Sequence, residues 1–288
     1  MKIFVNDIFK LFNIEKTQLN VTAVKALIAA MSMKKMCIYE KQKIIFDENV
    51  FLYCWDLYQK SLNHFDPNYN RKTDFSLYFK YIIDSKYENK TIDFHALFCP
   101  GYTKYGYKNK LGNTTVWKLK ELYDIMNMYA ENKIKTNLTC YYSDDFLENC
   151  DQKLEPNWRE QLERNRCLFH EEGEKYFQQC DVKNMSDIEI FSSDRDIEGY
   201  VDYDIIRSIP KTTYSAFKKG NEKFYKSMGF SEEQINFRND RLITMYRIFS
   251  DYLNTLENTI FLPMENMYER ENIFSENNTC TMYLKLKR

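Results

Sequence analysis

The run Ile92–Cys99 is apolar apart from Asp93 and His95, is stopped by Pro100-Gly101, and limits the fold more than any other segment. A short apolar run that does not alternate suits a strand covered on both faces, and burial on both faces is the habit of parallel sheets. The residues after it fit the same unit. A polar loop runs to Gly112, Asn113-Thr114-Thr115 offers a helix N-cap, and Val116, Leu119, Leu122, Tyr123 and Met126 recur at helical spacing. A second apolar run, Leu138–Tyr142, then ends at Ser143-Asp144-Asp145. This is a β-loop-α-β unit, so the two strands are expected to be parallel and their crossover right-handed. Ligands of such sheets bind at the carboxyl ends of the strands, which places the 100–112 loop and Ser143-Asp144-Asp145 on one rim.

The flanking sequence completes an α/β chain. Residues 1–85 read as a mainly helical cap and residues 86–288 as the core domain. In the cap, Asn20 is a candidate N-cap for a helix carrying Val24, Leu27 and Met31, and Ile44–Phe46 is a short strand. Further along, Trp158–Gln179 forms a charged helix with Leu162, Cys167, Phe169 and Phe177 inward, and Asp187–Phe191 a strand. Tyr203–Ile209 and Thr213–Met228 are helical. Asp240–Leu256 is a helix with Leu242, Met245, Ile248, Phe249 and Tyr252 inward. Thr259–Leu262 and Thr279–Leu284 are expected as an antiparallel edge pair. The expected fold is a nucleotide-binding-like (Rossmann-like), mostly parallel sheet flanked by helices.

Composition excludes several classes. With 41 basic and 42 acidic residues the net charge is −1, and no basic stripe offers a nucleic-acid footprint. The longest apolar stretch, Val21–Met31, carries Lys25 and falls short of the ~18 residues that span a bilayer. The opening MKIFVNDIFK carries Asp7 and lacks the apolar core of a signal peptide. The 8 cysteines form no C-x-x-C pair, so reduced thiols in a cytoplasmic protein are expected, with no metal and no cofactor.

Candidate site residues gather at the rim. Lys104, Lys108 and Lys110 lie between two glycines ahead of a helix N-terminus, where an anion is favoured, and an amine of depressed pKa there could form a Schiff base. A solvated basic loop is the plainer account of the same residues. Ser143, Asp144 and Asp145 can orient a substrate amine, bind a sugar hydroxyl or act as base; Ser-Asp-Asp is equally ordinary loop chemistry. Arg241 and Arg247, and Glu265 after the Thr259–Leu262 strand, can face the same rim or form surface ion pairs. Of the 3 histidines, His95 reads as a hydrogen-bonded core residue.

The order of these patterns resembles the isocyanide (isonitrile) synthases, which include the pyoverdine/dityrosine-biosynthesis group, over residues 85–288. The resemblance is carried by Phe98-Cys99-Pro100, the Lys104–Lys110 loop, Leu111-Gly112, Glu121 in the following helix and Tyr142-Ser143-Asp144. It continues in Met245-Tyr246-Arg247 through Tyr252, and in Ile260-Phe261-Leu262-Pro263-Met264-Glu265. The chain departs from the family pattern in its Tyr-rich first loop and in having Glu265 where a His-Pro pair is expected. The resemblance implies an enzyme that condenses an amino acid's amine with ribulose 5-phosphate to give an isocyanide. It implies Lys104, Asp144 and Glu265 as catalytic groups. Lys108, Lys110 and Arg247 would be phosphate ligands, with Ser143, Asp145 and Tyr102 beside the substrates.

Two other readings stay open. Cyclodipeptide synthases also pair such a sheet with a late Tyr-bearing helix, and aminoacyl-tRNA would then meet Glu160, Arg164 and Arg166. The remaining reading is a non-catalytic binding protein whose rim residues are structural.

Overall fold

The computed structural model describes residues 2–40, 43–65, 75–98, 113–142, 158–176, 181–184, 201–227, 229–263 and 280–285. Its centre is a five-stranded sheet built on β4 (Ile92–Phe98), flanked by β5 (Thr136–Tyr142) and β7 (Thr259–Pro263), with β6 (Asp181–Asn184) and β8 (Cys280–Thr281) at the edges. Every neighbouring pair is parallel. The expected parallel β4–β5 unit is therefore present. The expected antiparallel pairing of the last two strands is corrected. A parallel return needs about a dozen residues or more, and residues 264–279 supply that length.

Strand register sorts the side chains into two continuous faces. Phe94 sits opposite Leu138 and Ile260, and Ala96 opposite Cys140 and Leu262. These residues share one hydrophobic cluster with α2 (Gln18–Met33), α3 (Glu48–Ser61), α4 (Phe75–Glu88) and α5 (Asn113–Glu131). The alternate positions Leu97, Tyr141 and Phe261 face the other way, against α9 (Glu232–Asn254). Both faces are covered, which is why the strands read as nearly unbroken apolar runs.

The N-terminal stretch adds a small antiparallel sheet to its helices, in the order β1 (Lys2–Phe4), β3 (Lys43–Phe46), β2 (Cys37–Glu40). Thr17, and not Asn20, caps α2: its hydroxyl accepts from the Asn20 amide at 3.1 Å, while the Asn20 side chain donates to the Glu15 carbonyl at 2.9 Å. Between α3 and α5 runs a buried hydroxyl chain. Tyr129 donates to the Tyr78 hydroxyl at 3.2 Å, Tyr78 to the Ser61 hydroxyl at 3.3 Å, and Ser61 to the Tyr58 carbonyl at 2.7 Å. The C-terminal segment ties to this layer too: Phe65 bridges Leu284, and the Lys285 amide donates to the His64 carbonyl at 2.8 Å.

The helices match the expected periods with local exceptions. Leu119 and Leu122 are buried on α5, but Tyr123 is exposed and Ile125 and Tyr129 take the inward places. In α6 (Trp158–Tyr176) Phe169 is buried as expected, whereas Cys167 is exposed. Cys37, Cys54, Cys140 and Cys280 are buried thiols. The strand expected at 187–191 lies outside the described residues. The strand found is β6, whose sequence Asp-Val-Lys-Asn carries almost no strand signal and is held by pairing with β5. Two shorter pieces, α7 (Tyr203–Ser208) and α8 (Lys211–Ser227), lead into α9. That helix starts earlier than its apolar stripe suggests, because Ser231 and Gln234 form a reciprocal capping box.

Candidate functional site

The parallel sheet has one carboxyl edge, and the segments after β4, β5 and β7 begin there. Tyr102, Lys104, Lys108, Lys110, Ser143, Asp144, Asp145 and Glu265 all fall in those segments and lie outside the described residues. Arg247 is described. It stands half-buried on α9.

The direction of α9 relative to the sheet follows from its exit. Residues 255–258 alone join it to β7, and Asn258 takes the left-handed conformation, φ 51°, that reverses the chain. The Asn258 carbonyl accepts from the Asp93 amide at 3.1 Å, which pins this turn to the start of β4. The C-terminus of α9 is thereby at the amino edge of the sheet, and the helix runs antiparallel to the strands. Phe249 packs on the Tyr141 ring at 5.1 Å and on the Phe261 ring at 5.7 Å. A straight helix rises about 1.5 Å per residue, so the turns before Phe249 pass the ends of the strands and stand over the carboxyl edge.

Those turns bury polar side chains among the apolar ones. Arg238, Asn239, Arg241 and Thr244 are all buried. Thr244 accepts from the Asp202 amide at 3.1 Å. The Arg238 guanidinium lies 4.3 Å from the Tyr225 ring centre and 5.3 Å from that of Phe230, a cation–π clamp between α8 and α9. Tyr214 donates to the Asp240 carboxylate at 2.7 Å. Burial raises the Asp240 carboxyl above the ordinary carboxylate value, against the lowering by the Tyr214 hydrogen bond and the Lys218 charge. The Tyr214 hydroxyl is raised in turn, by burial first and then by its hydrogen bond to Asp240.

Beneath α9, in the sheet itself, His95 confirms its expected place as a hydrogen-bonded core residue. Its Nδ1 is 3.0 Å from the Tyr141 hydroxyl, and the two rings stack at 5.7 Å. Burial, and then the charge of Lys183 on β6, push the imidazole down to about 4. This imposes an acid limb on stability. The unfolded chain takes up the proton near pH 6.5, the folded one only near 4, so stability is lost as pH falls through that window. Between pH 7.5 and 5 the loss from this one residue is about 2 kcal/mol. Urea midpoints of the wild type and His95→Phe at both pH values check it: the wild type should lose that much more than the variant. An equal loss in both would show that the imidazole is not held neutral.

Among the described residues, no group of three His, Cys, Asp or Glu side chains is placed to hold a metal ion, and no helix is long and apolar enough to cross a membrane.

No family model matches the sequence, and no curated protein matches it. Among solved structures, the crystal structure of the PvcA protein from Pseudomonas aeruginosa matches with a TM-score of 0.51, over 81% of this chain and 83% of that one, at 10% identity. The chain has a PvcA-like fold. The match agrees with the resemblance drawn from the short patterns between Phe98 and Glu265. At 10% identity the likeness to PvcA is one of fold alone.

From the sequence both Arg241 and Arg247 can face the rim, and the family resemblance gives only Arg247 a role, as a phosphate ligand. The structure separates them: Arg241 is 1% exposed, and Arg247 is only half-buried. The signal was available in part, because Arg241, Met245 and Phe249 repeat every four residues and so share one face of the helix. The part of that face lying beyond the sheet required the α9–β7 connection.

Proposed function

We propose that the protein is a biosynthetic enzyme of the isocyanide-synthase type, acting on the amine of an amino acid and on ribulose 5-phosphate. The observation that carries this reading is the PvcA-like fold over four-fifths of the chain (81%), arrived at independently of the short patterns that resemble the isocyanide synthases. In this reading residues 1–85 are a helical cap on a Rossmann-like core, 86–288, and the protein works in the cytoplasm without a cofactor or metal.

The site is the carboxyl edge. Lys108, Lys110 and Arg247 hold the phosphate, and Tyr102 lines the amino-acid side. Ser143 and Asp145 hold sugar hydroxyls. Asp144 takes a proton from the substrate ammonium, so that the free amine can attack the sugar carbonyl. Lys104 and Glu265 supply and remove the protons as that oxygen leaves as water. A general acid and base acting in this way typically contribute 10²–10⁴-fold each.

The test is a thermal-shift panel of ribulose 5-phosphate, inorganic phosphate, single amino acids and aminoacyl-tRNA. A ligand at 100 times its Kd adds about 2.7 kcal/mol, a shift of several degrees in a chain of this size. A shift with the phosphosugar, diminished in Lys104→Ala or Lys108→Ala, supports the reading, as does a product with isocyanide mass when both substrates are supplied. A salt-sensitive shift with aminoacyl-tRNA alone would transfer the proposal to a tRNA-dependent transferase. No response to any ligand, and no product, would leave a non-catalytic role.

A further inference from the structure

We propose that Arg241, a residue to which neither the fold likeness nor the family resemblance assigns a role, is the fixed cation that grips the phosphate of the sugar substrate. The inference rests on the reading above, and deepens it.

Three observations converge. Arg241 is the largest fully buried side chain in the described protein, at 1% exposure. It lies on the stripe of α9 that faces the sheet: Met245 and Phe249, four and eight residues on, belong to the cluster with Leu97, Tyr141 and Phe261. Eight residues of helix span about 12 Å, and Phe249 already packs on Tyr141, the last but one residue of β5. Arg241 therefore stands past the strand ends, above the carboxyl edge, where ligands of parallel sheets are held.

The chemistry suits a phosphate. A guanidinium stays charged however deeply it is buried, whereas a buried lysine sheds its proton as the surroundings become apolar. Its flat fork grips two oxygens at once. Five N–H donors let one guanidinium serve a protein acceptor and a phosphate together.

Titration calorimetry on the wild type, Arg241→Lys and Arg241→Met tests this with four probes: ribulose 5-phosphate, inorganic phosphate, unphosphorylated ribulose and the amino acid that shifts the wild type most. Affinity for the phosphosugar and for phosphate should fall at least 10-fold in Arg241→Lys and vanish in Arg241→Met, with the other two probes unaffected. The lysine variant keeps a basic side chain of similar reach in the same interior place, so it carries the test if the methionine variant does not fold. A folded variant that binds ribulose 5-phosphate as tightly as the wild type overturns the inference, and so does a wild type that binds neither phosphate compound. A wild type that binds phosphate through Arg241 but makes no isocyanide sustains the anion site while the proposed reaction falls.

Discussion

Shortening Phe249 to alanine should cost about 3–5 kcal/mol, read as a fall of roughly 10 °C in the melting temperature. The ring is fully buried and fills the space between helix and sheet: Tyr141 and Phe261 meet it edge-on at 5.1 and 5.7 Å, and Tyr252 lies beside it at 6.4 Å. Its removal forfeits the transfer energy of the ring and leaves a cavity that two strands and a helix cannot close by small shifts. The effect should extend to the site, because Phe249 seats on the sheet the helix that carries the polar turns. Phe249→Leu, which keeps most of the volume, should lose about 1.5 kcal/mol or less. A chemical denaturation series on the two variants decides it, and a loss under 1 kcal/mol in the alanine variant would mean that α9 is not seated on the sheet through this ring.

Asp84→Ala should be the most damaging polar substitution, at about 3 kcal/mol. The carboxylate is buried on α4, and three lysines converge on it. Lys34 pairs with Oδ1, while Lys80 reaches Oδ2 at 3.0 Å and Lys90 approaches it at 3.9 Å. Lys34 also contacts Glu88 at 2.6 Å. Burial works against the Lys34 charge, but its hydrogen bonds to Asp84 and Glu88 outweigh that and raise its pKa above the usual lysine value. Stability from this pairing is therefore present below about pH 10.5 and lost as pH rises through the folded-state value. Without Asp84 the half-buried Lys34 ammonium keeps only the exposed Glu88. Asp84→Asn should recover part of the loss, since an amide oxygen still accepts one lysine N–H. Melting temperatures at pH 7 for the two variants check this, and equal stability of Asp84→Ala and wild type would sink it.

Much of the architecture is local information. The apolar runs at Ile92–Cys99 and Leu138–Tyr142 and the helical stripe between them specify a buried parallel pair, because only a strand covered on both faces dispenses with polar alternation. The stripe on α9 and the isolation of the cysteines belong to the same kind of evidence. Where the chain chooses between partners, local pattern is silent. β6 has a polar sequence and exists because β5 offers it an edge. The last two strands are parallel because a long connection returns the chain to the same side, and no feature of either strand records that. Thr17 caps α2 and Asn20 does not, a difference of three residues that depends on where the backbone turns.

The candidate site divides along the same line. Sequence by itself determined which residue types sit at the ends of the strands: the lysines after β4, Ser143-Asp144-Asp145 after β5 and Glu265 after β7. It also determined that His95 belongs in the core, since a lone histidine in an apolar strand must find a hydrogen bond inside. Tertiary structure alone decided that Arg241 is enclosed while Arg247 is only half-buried. That depends on the helix running antiparallel to the sheet and outlasting it, so that the stripe which buries Phe249 against Tyr141 carries Arg241 past the strand ends, a relation between elements that no window of sequence contains.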